Sequence, residues 1–238
     1  NIIRGHTSSS IGGFTGIQNT GTVTSALNIT NNQIGDGVAG AITMSSASIL
    51  GIVSGILVGP IFFTSQTNIS NNNFQGIVIQ VLSPVQVQLI TIQHGISSLV
   101  TNNTFTNLNI NTTANFCFIA STVDFFSNST HTVTNNSIVG TFTKTGASLN
   151  FWLYYSQSLT GTNVSETCTG NNFSNISLAG TSVFNGFFCN SVTAKNISNN
   201  TISNITGGSG DMNILTVSGS TNGTVSGNTI SNITSPGN

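Results

Sequence analysis

The groups that could do acid–base or metal chemistry in this chain are few and scattered. Glycoside hydrolysis uses a pair of carboxylates, calcium binding uses clustered aspartates, and proton abstraction uses a base such as Lys or Arg. The charged side chains are Asp36, Asp124, Glu166, Asp211, Arg4, Lys144 and Lys195. They fall in different repeats of the chain, described below, at unrelated positions. We therefore expect no catalytic residue and no enzymatic activity.

Metal ligands and nucleophiles are equally sparse. The histidines share no metal spacing and suggest no Ser/His/Asp arrangement; they are His6, His94 and His131. The cysteines are odd in number and follow no CxxC or Cys/His spacing; they are Cys117, Cys168 and Cys189. We predict no metal and no cofactor, and we interpret Cys168 as a small buried hydrophobic residue.

The low charge of the chain limits its partners. Three Lys or Arg and four Asp or Glu in 238 residues give a net charge of -1. This excludes a basic groove for nucleic acid and a polybasic membrane patch. Because near-zero charge removes the repulsion that keeps soluble monomers apart, and the mean hydropathy is +0.22, we expect the chain to bind copies of itself.

A nine-residue pattern occurs seven times and predicts the secondary-structure elements that position the charged residues, histidines and cysteines. Its copies are ITNNQIGDG from Ile29, ISNNNFQGI from Ile69, VTNNTFTNL from Val100, VTNNSIVGT from Val133, CTGNNFSNI from Cys168, ISNNTISNI from Ile197 and VSGNTISNI from Val225. The fourth place, which recurs every 28 to 40 residues, holds Asn32, Asn72, Asn103, Asn136, Asn171, Asn200 or Asn228. A truncated eighth copy begins at Asn1. Repeats of this length indicate a solenoid.

Each place in the pattern has a physical interpretation. The first and sixth places are apolar and are predicted to face a core. The third and eighth places hold Asn, Gly or Asp, Asp36 among them, which exchange where the backbone needs a positive φ. We therefore predict a corner at each, with a short strand such as 201–203 between them. Stacked copies of the fourth-place asparagine are predicted to form a ladder of amide hydrogen bonds.

A second motif recurs between these copies and predicts another strand at a constant place in each repeat. It occurs as NFCFIAS from Asn115, NFWLYYS from Asn150, NGFFCNS from Asn185 and NILTVSG from Asn213, with QVQLITI from Gln86 as a fifth copy. Short strands and left-handed corners stacked in sequence order describe a parallel β-helix.

The seven-copy motif resembles the repeats of the pectate-lyase-like superfold, especially those of NosD-like and bacterial surface proteins. The resemblance implies an all-β, right-handed parallel β-helix of about eight turns, with 28–40 residues per turn, and it implies no particular activity. Many β-helices of this superfold cleave acidic polysaccharides, but the acid, base and metal residues counted above are too few for a lyase.

The strand NFWLYYS is apolar on both faces. Strict alternation places Phe151, Leu153 and Tyr155 on one face and Trp152 and Tyr154 on the other. In a strand with one face exposed to solvent, apolar and polar residues alternate. Because NFWLYYS lacks this alternation, we expect its outer face to be covered by the same chain or by a neighbouring molecule. Phe151, Trp152 and Tyr154 are thus candidate interface residues or, in a carbohydrate-binding protein, candidate sugar-stacking residues.

Two further interpretations are weaker. Threonines such as Thr104 and Thr106 form outward columns around the sixth place, which is a minor candidate for ice binding, although Gln75 and Val139 interrupt these columns. The uncharged segment 41–63 is long enough to span a bilayer, but Ser, Gly and Pro interrupt it. We expect buried strands there and no membrane span.

The sequence predicts one domain over residues 1–238, as an excerpt or processed part of a longer chain, because it opens on NIIRGH without an initiator Met. The predicted function is a structural, non-catalytic subunit or segment of an extracellular filament or cell-surface adhesin that self-associates end to end or laterally. The alternative is a carbohydrate-binding or carbohydrate-cleaving β-helix, such as a tailspike-like protein, with glycans as partners.

Overall fold

The chain winds into a parallel β-helix in which four parallel sheets run along the axis. The computed structural model describes residues 1–9, 12–46, 51–59, 66–81, 86–93, 96–147, 150–191, 194–219 and 222–236. Every strand pair that it contains is parallel, and neighbours in a sheet come from successive turns. No helix occurs among these residues, so none there could cross a membrane. The predicted all-β solenoid is confirmed.

We name the four sheets in the order in which one turn passes through them. Sheet I contains Leu27–Thr30, Thr67–Ser70, Ser98–Thr101, Thr130–Thr134, Ser165–Thr169, Ala194–Ser198 and Asn222–Ser226. Sheet II contains Ile2–Ile3, Gln33–Gly35, Asn73–Gln75, Thr104–Thr106 and Ser137–Val139. Sheet III contains His6–Ser8, Ile42–Met44, Ile77–Val81, Asn109–Thr112, Phe142–Lys144, Ile176–Leu178, Thr201–Thr206 and Thr229–Thr234. Sheet IV contains Phe14–Asn19, Val53–Val58, Val87–Ile92, Phe116–Ser121, Phe151–Ser158, Phe184–Ser191 and Met212–Ser218.

The first and sixth places of the nine-residue pattern face the interior, as predicted. Ile69, Cys168 and Phe105 are fully buried members of one continuous core cluster. Phenylalanines from successive turns stack within it; the ring centroids of Phe74 and Phe105, for example, lie 5.1 Å apart. In the last described turn Val225 and Ile230 each have one stacked neighbour instead of two, and they are 52 % and 44 % exposed.

The third place of every copy is a left-handed corner. Its φ lies between 55° and 66° in Asn31, Asn71, Asn102, Asn135, Gly170, Asn199 and Gly227. Asparagine and glycine tolerate this conformation at the lowest steric cost, which explains why those two residue types exchange there. The prediction of a corner at this place is confirmed.

The eighth place also forms a corner, with one exception. Its φ lies between 50° and 82° in Gly76, Asn107, Gly140, Asn175, Asn204 and Asn232. The prediction for Asp36 is wrong, because the positive φ falls one residue earlier, on Gly35. Asp36 instead accepts a hydrogen bond from the backbone of Val38 (2.9 Å) and pairs with Arg4 (3.7 Å).

Two corner glycines differ in the space around them, which gives a paired prediction. A Cβ on Gly35 (φ 90°) would lie 1.7 Å from the carbonyl oxygen of Gln75, whereas a Cβ on Gly140 (φ 82°) would contact nothing. Gly140→Ala should cost about 1–2 kcal/mol for the left-handed conformation alone. Gly35→Ala adds a steric clash and should cost about 2–4 kcal/mol. Thermal denaturation of the two variants measures the difference, and equal losses would contradict it.

The strands of sheet IV depart from strict alternation. In three of them two consecutive buried side chains point into the core, for example Leu89 and Ile90 in one strand and Leu153 and Tyr154 in another. In Val53–Val58 and Phe184–Ser191 a glycine occupies the first of these two places. The register also differs from the motif alignment, since Phe151 pairs with Phe184 and not with Gly186. Because the shift is of two residues, residues that the alignment places on the same face of the sheet remain on the same face.

The segment 41–63 contributes the strands Ile42–Met44 and Val53–Val58, where it lies within the described residues. Its apolar side chains at Ile42, Ile56 and Val58 are buried in the core. The expectation of buried strands in this segment is thus met where the structure describes it.

Candidate functional site

The fourth-place asparagines form a continuous ladder just after the strands of sheet I. In each but the last, Nδ2 donates to Oδ1 of the asparagine one turn further on, over distances of 2.8 to 3.0 Å, along Asn32, Asn72, Asn103, Asn136, Asn171, Asn200 and Asn228. The same Oδ1 accepts the backbone N–H of the preceding rung at 3.0 Å. Asn1 adds an eighth rung, since its Nδ2 lies 2.9 Å from Oδ1 of Asn32.

A third set of bonds ties the ladder to sheet I. The Nδ2 of Asn103 also donates to the carbonyl of Ile69 (3.0 Å), and that of Asn200 to the carbonyl of Cys168 (2.8 Å). These amides are 0 % exposed. Because all the amides point the same way, each bond polarises the next, and the ladder locks successive turns in register.

Glu166 lies at the centre of a buried polar cluster between sheets IV and I. Its Oε1 accepts hydrogen bonds from the hydroxyls of Tyr154 (2.7 Å) and Ser156, and its Oε2 accepts one from Ser191 (2.8 Å). Lys195 occupies the next turn in register with Glu166, and its Nζ donates to backbone carbonyls of Ser191 and of residue 218. Both charged side chains are buried, and the cluster links successive turns of the solenoid.

The other ionisable groups of the interior have similar roles. Lys144 is buried and caps the carbonyls of Thr112 and Gly146. Burial lowers the pKa of Lys144 to about 8. Since this is below the unfolded value of 10.5, the energetic cost of the buried charge is present below pH 8 and is relieved as the pH rises towards 10.5.

His131 stacks on Phe125 with ring centroids 3.7 Å apart.

The cysteines are buried and protonated. Burial raises the pKa of Cys117, Cys168 and Cys189 above the usual thiol value. Cys168 is fully buried in the core, as interpreted from the sequence. A raised pKa leaves little thiolate at neutral pH, and the thiolate is the nucleophilic form of cysteine.

The remaining charged groups do not converge. Asp124 accepts a hydrogen bond from the backbone N–H of Leu159 (2.8 Å), and the carbonyl of Asp211 pairs with the backbone of Phe184. Within the described ranges no three His, Cys, Asp or Glu side chains could hold a metal ion. His94 lies outside the described residues.

The aromatic strand 151–158 differs from the strict alternation predicted for it. Phe151 and Tyr154 are interior residues, 0 % and 2 % exposed, so neither can stack on a ligand or line an interface. Two consecutive inward residues, Leu153 and Tyr154, shift the phase and bring Tyr155 to the outer face beside Trp152. The sequence signal for this shift is a pair of adjacent apolar residues, or a glycine followed by an apolar residue, at the same place in each sheet IV strand.

An outer groove lies on this face of sheet IV. It encloses about 610 Å³ and is lined by Gln86, Gln88, Asn115, Cys117, Thr122, Val123, Asp124, Trp152, Tyr155, Gln157 and Leu159. Its volume is within the range of small-molecule sites, about 300–1,000 Å³. The groove combines half-buried aromatic rings with side-chain amides, and of the residues predicted from the aromatic strand it contains Trp152 alone.

The threonine columns of sheet II are in register but mixed in composition. Thr104 pairs with Asn73 on one side and Ser137 on the other. Thr106 pairs with Gln75 and Val139. A uniform row of threonines therefore does not form around these positions, and ice binding stays a minor prediction.

The fold and the ladder define the class of this protein: it is a parallel β-helix solenoid with an internal asparagine ladder. Comparisons with protein-family models, with curated proteins and with solved structures gave no match.

Proposed function

We propose that this chain is a structural, non-catalytic β-helix segment of an extracellular filament or cell-surface adhesin. The observation that carries the proposal is the unbroken ladder of eight asparagines, which joins every turn to the next through buried hydrogen bonds. Such an arrangement resists extension and bending along the axis. The buried positions of Glu166, Lys144 and Lys195 support the same proposal, because these side chains hold turns together.

Self-association is part of this proposal. The net charge of -1 gives little repulsion between copies. Large apolar side chains are also exposed, among them Val38 at 70 % and Leu159 at 68 %. Exposed apolar surface on a nearly uncharged protein favours lateral contacts between copies.

Light scattering and electron microscopy over a concentration series test the self-association. We expect oligomers or fibres that grow with protein concentration. A Val38→Lys/Leu159→Lys variant should shift the distribution towards monomers, because it adds like charges at two exposed positions. The matched control Asn109→Ala changes an exposed polar side chain of sheet III and should leave the distribution unchanged. A monodisperse monomer at every concentration would overturn this part of the proposal.

A carbohydrate-binding β-helix is the second candidate, and the outer groove favours it. Binding is better supported than cleavage. Among the described residues that line the groove Asp124 is the one carboxylate, whereas glycoside hydrolysis uses two. Incubation with a panel of polysaccharides tests this distinction, since release of oligosaccharides would contradict a non-catalytic role.

A further inference from the structure

The floor of the outer groove is an aromatic surface. The ring centroids of Trp152 and Tyr155 lie 5.0 Å apart, and Phe188 stacks on Tyr155 from the next turn at 5.6 Å with nearly parallel planes. Trp152 and Tyr155 are held by pairing with Cys117 and Ala120 of the preceding strand. Rings held in this way offer a large contact area at little cost in conformational entropy.

Polar groups of fixed orientation surround these rings. The side-chain oxygen of Gln88 accepts a hydrogen bond from Thr91 (2.9 Å), and that of Gln157 accepts one from the hydroxyl of Tyr155. Each bond orients an amide whose nitrogen carries two donor hydrogens. The indole Nε1 of Trp152 is buried and has no hydrogen-bond partner. A buried donor without a partner costs about 1–3 kcal/mol.

The charge of the groove favours neutral ligands with hydroxyl groups over acidic ones. Asp124 lines it, and one of its oxygens is held by the backbone N–H of Leu159. No Lys or Arg lines the groove among the described residues, because Lys144 and Lys195 are buried elsewhere and Arg4 pairs with Asp36. An acidic ligand would meet a carboxylate with no neutralising cation.

We propose that the outer groove binds a neutral oligosaccharide. The apolar C–H face of a sugar ring packs on Trp152 and Tyr155, and its hydroxyl groups bond to the exposed side-chain amide of Gln157. This combination of apolar floor and a few fixed polar groups is typical of small-ligand sites. The inference rests on the carbohydrate-binding candidate and deepens it.

Trp152 is the single tryptophan of the chain, so its fluorescence reports on the groove directly. Titration with neutral oligosaccharides built from glucose, xylose or mannose should give a saturable change in emission for at least one of them. Oligosaccharides of uronic acids should bind more weakly. Asp124→Asn should strengthen the binding of uronic acid oligosaccharides several-fold, because it removes a like charge.

Calorimetry with variants identifies the residues that bind. Trp152→Ala should weaken binding by about tenfold or more, as expected for a central aromatic contact. Trp152→Phe should weaken it less, since it keeps a ring. Val139→Ala, at an exposed position on sheet II, is the control and should bind as the original chain does. Circular dichroism spectra of all variants would establish that the fold is retained.

Two results would overturn the inference. One is that no neutral oligosaccharide changes the emission or produces heat. The other is binding that Trp152→Ala leaves unaffected. If dilution of the protein itself changes the emission, a second copy covers the groove, and the carbohydrate proposal is wrong. Light scattering measures self-association and calorimetry measures oligosaccharide binding, so the failure of each proposal is observed separately.

Discussion

Replacing Asn136 by alanine is expected to destabilise the protein by about 4–6 kcal/mol, the largest effect of any single substitution that we predict. Oδ1 of Asn136 accepts two bonds from Asn103, and its Nδ2 donates to Val100 and Asn171. Alanine would leave two donors of Asn103 buried without a partner, each at a cost of about 1–3 kcal/mol, and would create a cavity at a position that is 0 % exposed.

Chemical denaturation followed by circular dichroism measures this loss. Asn136→Asp provides a second test, because it keeps the acceptor oxygens, removes the donor and buries a negative charge. The matched control is Asn109→Ala, an exposed asparagine one turn away, which should change stability by less than about 0.5 kcal/mol. A similar small loss for Asn136→Ala would show that the ladder contributes little to the stability of the turns.

Replacing Lys195 by methionine is expected to cost about 3–5 kcal/mol. Lys195 and Glu166 are 4 % and 1 % exposed and lie in register on adjacent strands of sheet I. Burial lowers the pKa of Lys195, and the charge of Glu166 opposes this shift. Methionine would keep the apolar stem but leave the carbonyls of Ser191 and of residue 218 without their donor. It would also remove the positive charge that interacts with the buried carboxylate of Glu166.

A double-mutant cycle separates the charge from the packing. The Glu166→Gln/Lys195→Met variant should recover a large part of the stability lost in Lys195→Met, because no buried charge remains unpaired. The exposed pair of Arg4 and Asp36 is the control, and Arg4→Met should cost at most about 1 kcal/mol. Additive losses in the buried cycle would contradict electrostatic coupling between Glu166 and Lys195.

The place of the strands and corners could be predicted because the signals are local and repeated. Asparagine and glycine at the third place, such as Asn199 and Gly170, specify a left-handed corner through the sterics of a single residue. The regular spacing of the asparagines likewise specifies which turn lies over which. Asp36 was assigned to a corner by its column, but the adjacent Gly35 adopts the positive φ, since the backbone there lies too close to Gln75 for any Cβ.

The outer groove is only partly predictable, because its lining depends on contacts between different turns and not on a signal within one strand. Strict alternation identified Trp152 as an outward residue but placed Tyr154 with it and assigned Tyr155 to the other face. Two consecutive inward residues reverse the phase, and this departure depends on how the strand stacks on its neighbours. No pattern within one strand shows that 122–124 and 157–159 form the walls of the groove beside Trp152.

The sequence by itself determined the repeat, the corners, the apolar columns and the scarcity of charge, because each depends on residue type and spacing along the chain. Only the tertiary structure decided how side chains from different turns meet. It brought Glu166, Tyr154 and Lys195 into one buried cluster and placed Tyr155 beside Trp152 in the outer groove. Contacts of this kind join residues through the stacking of turns and through loops of variable length, whose course no local periodicity specifies.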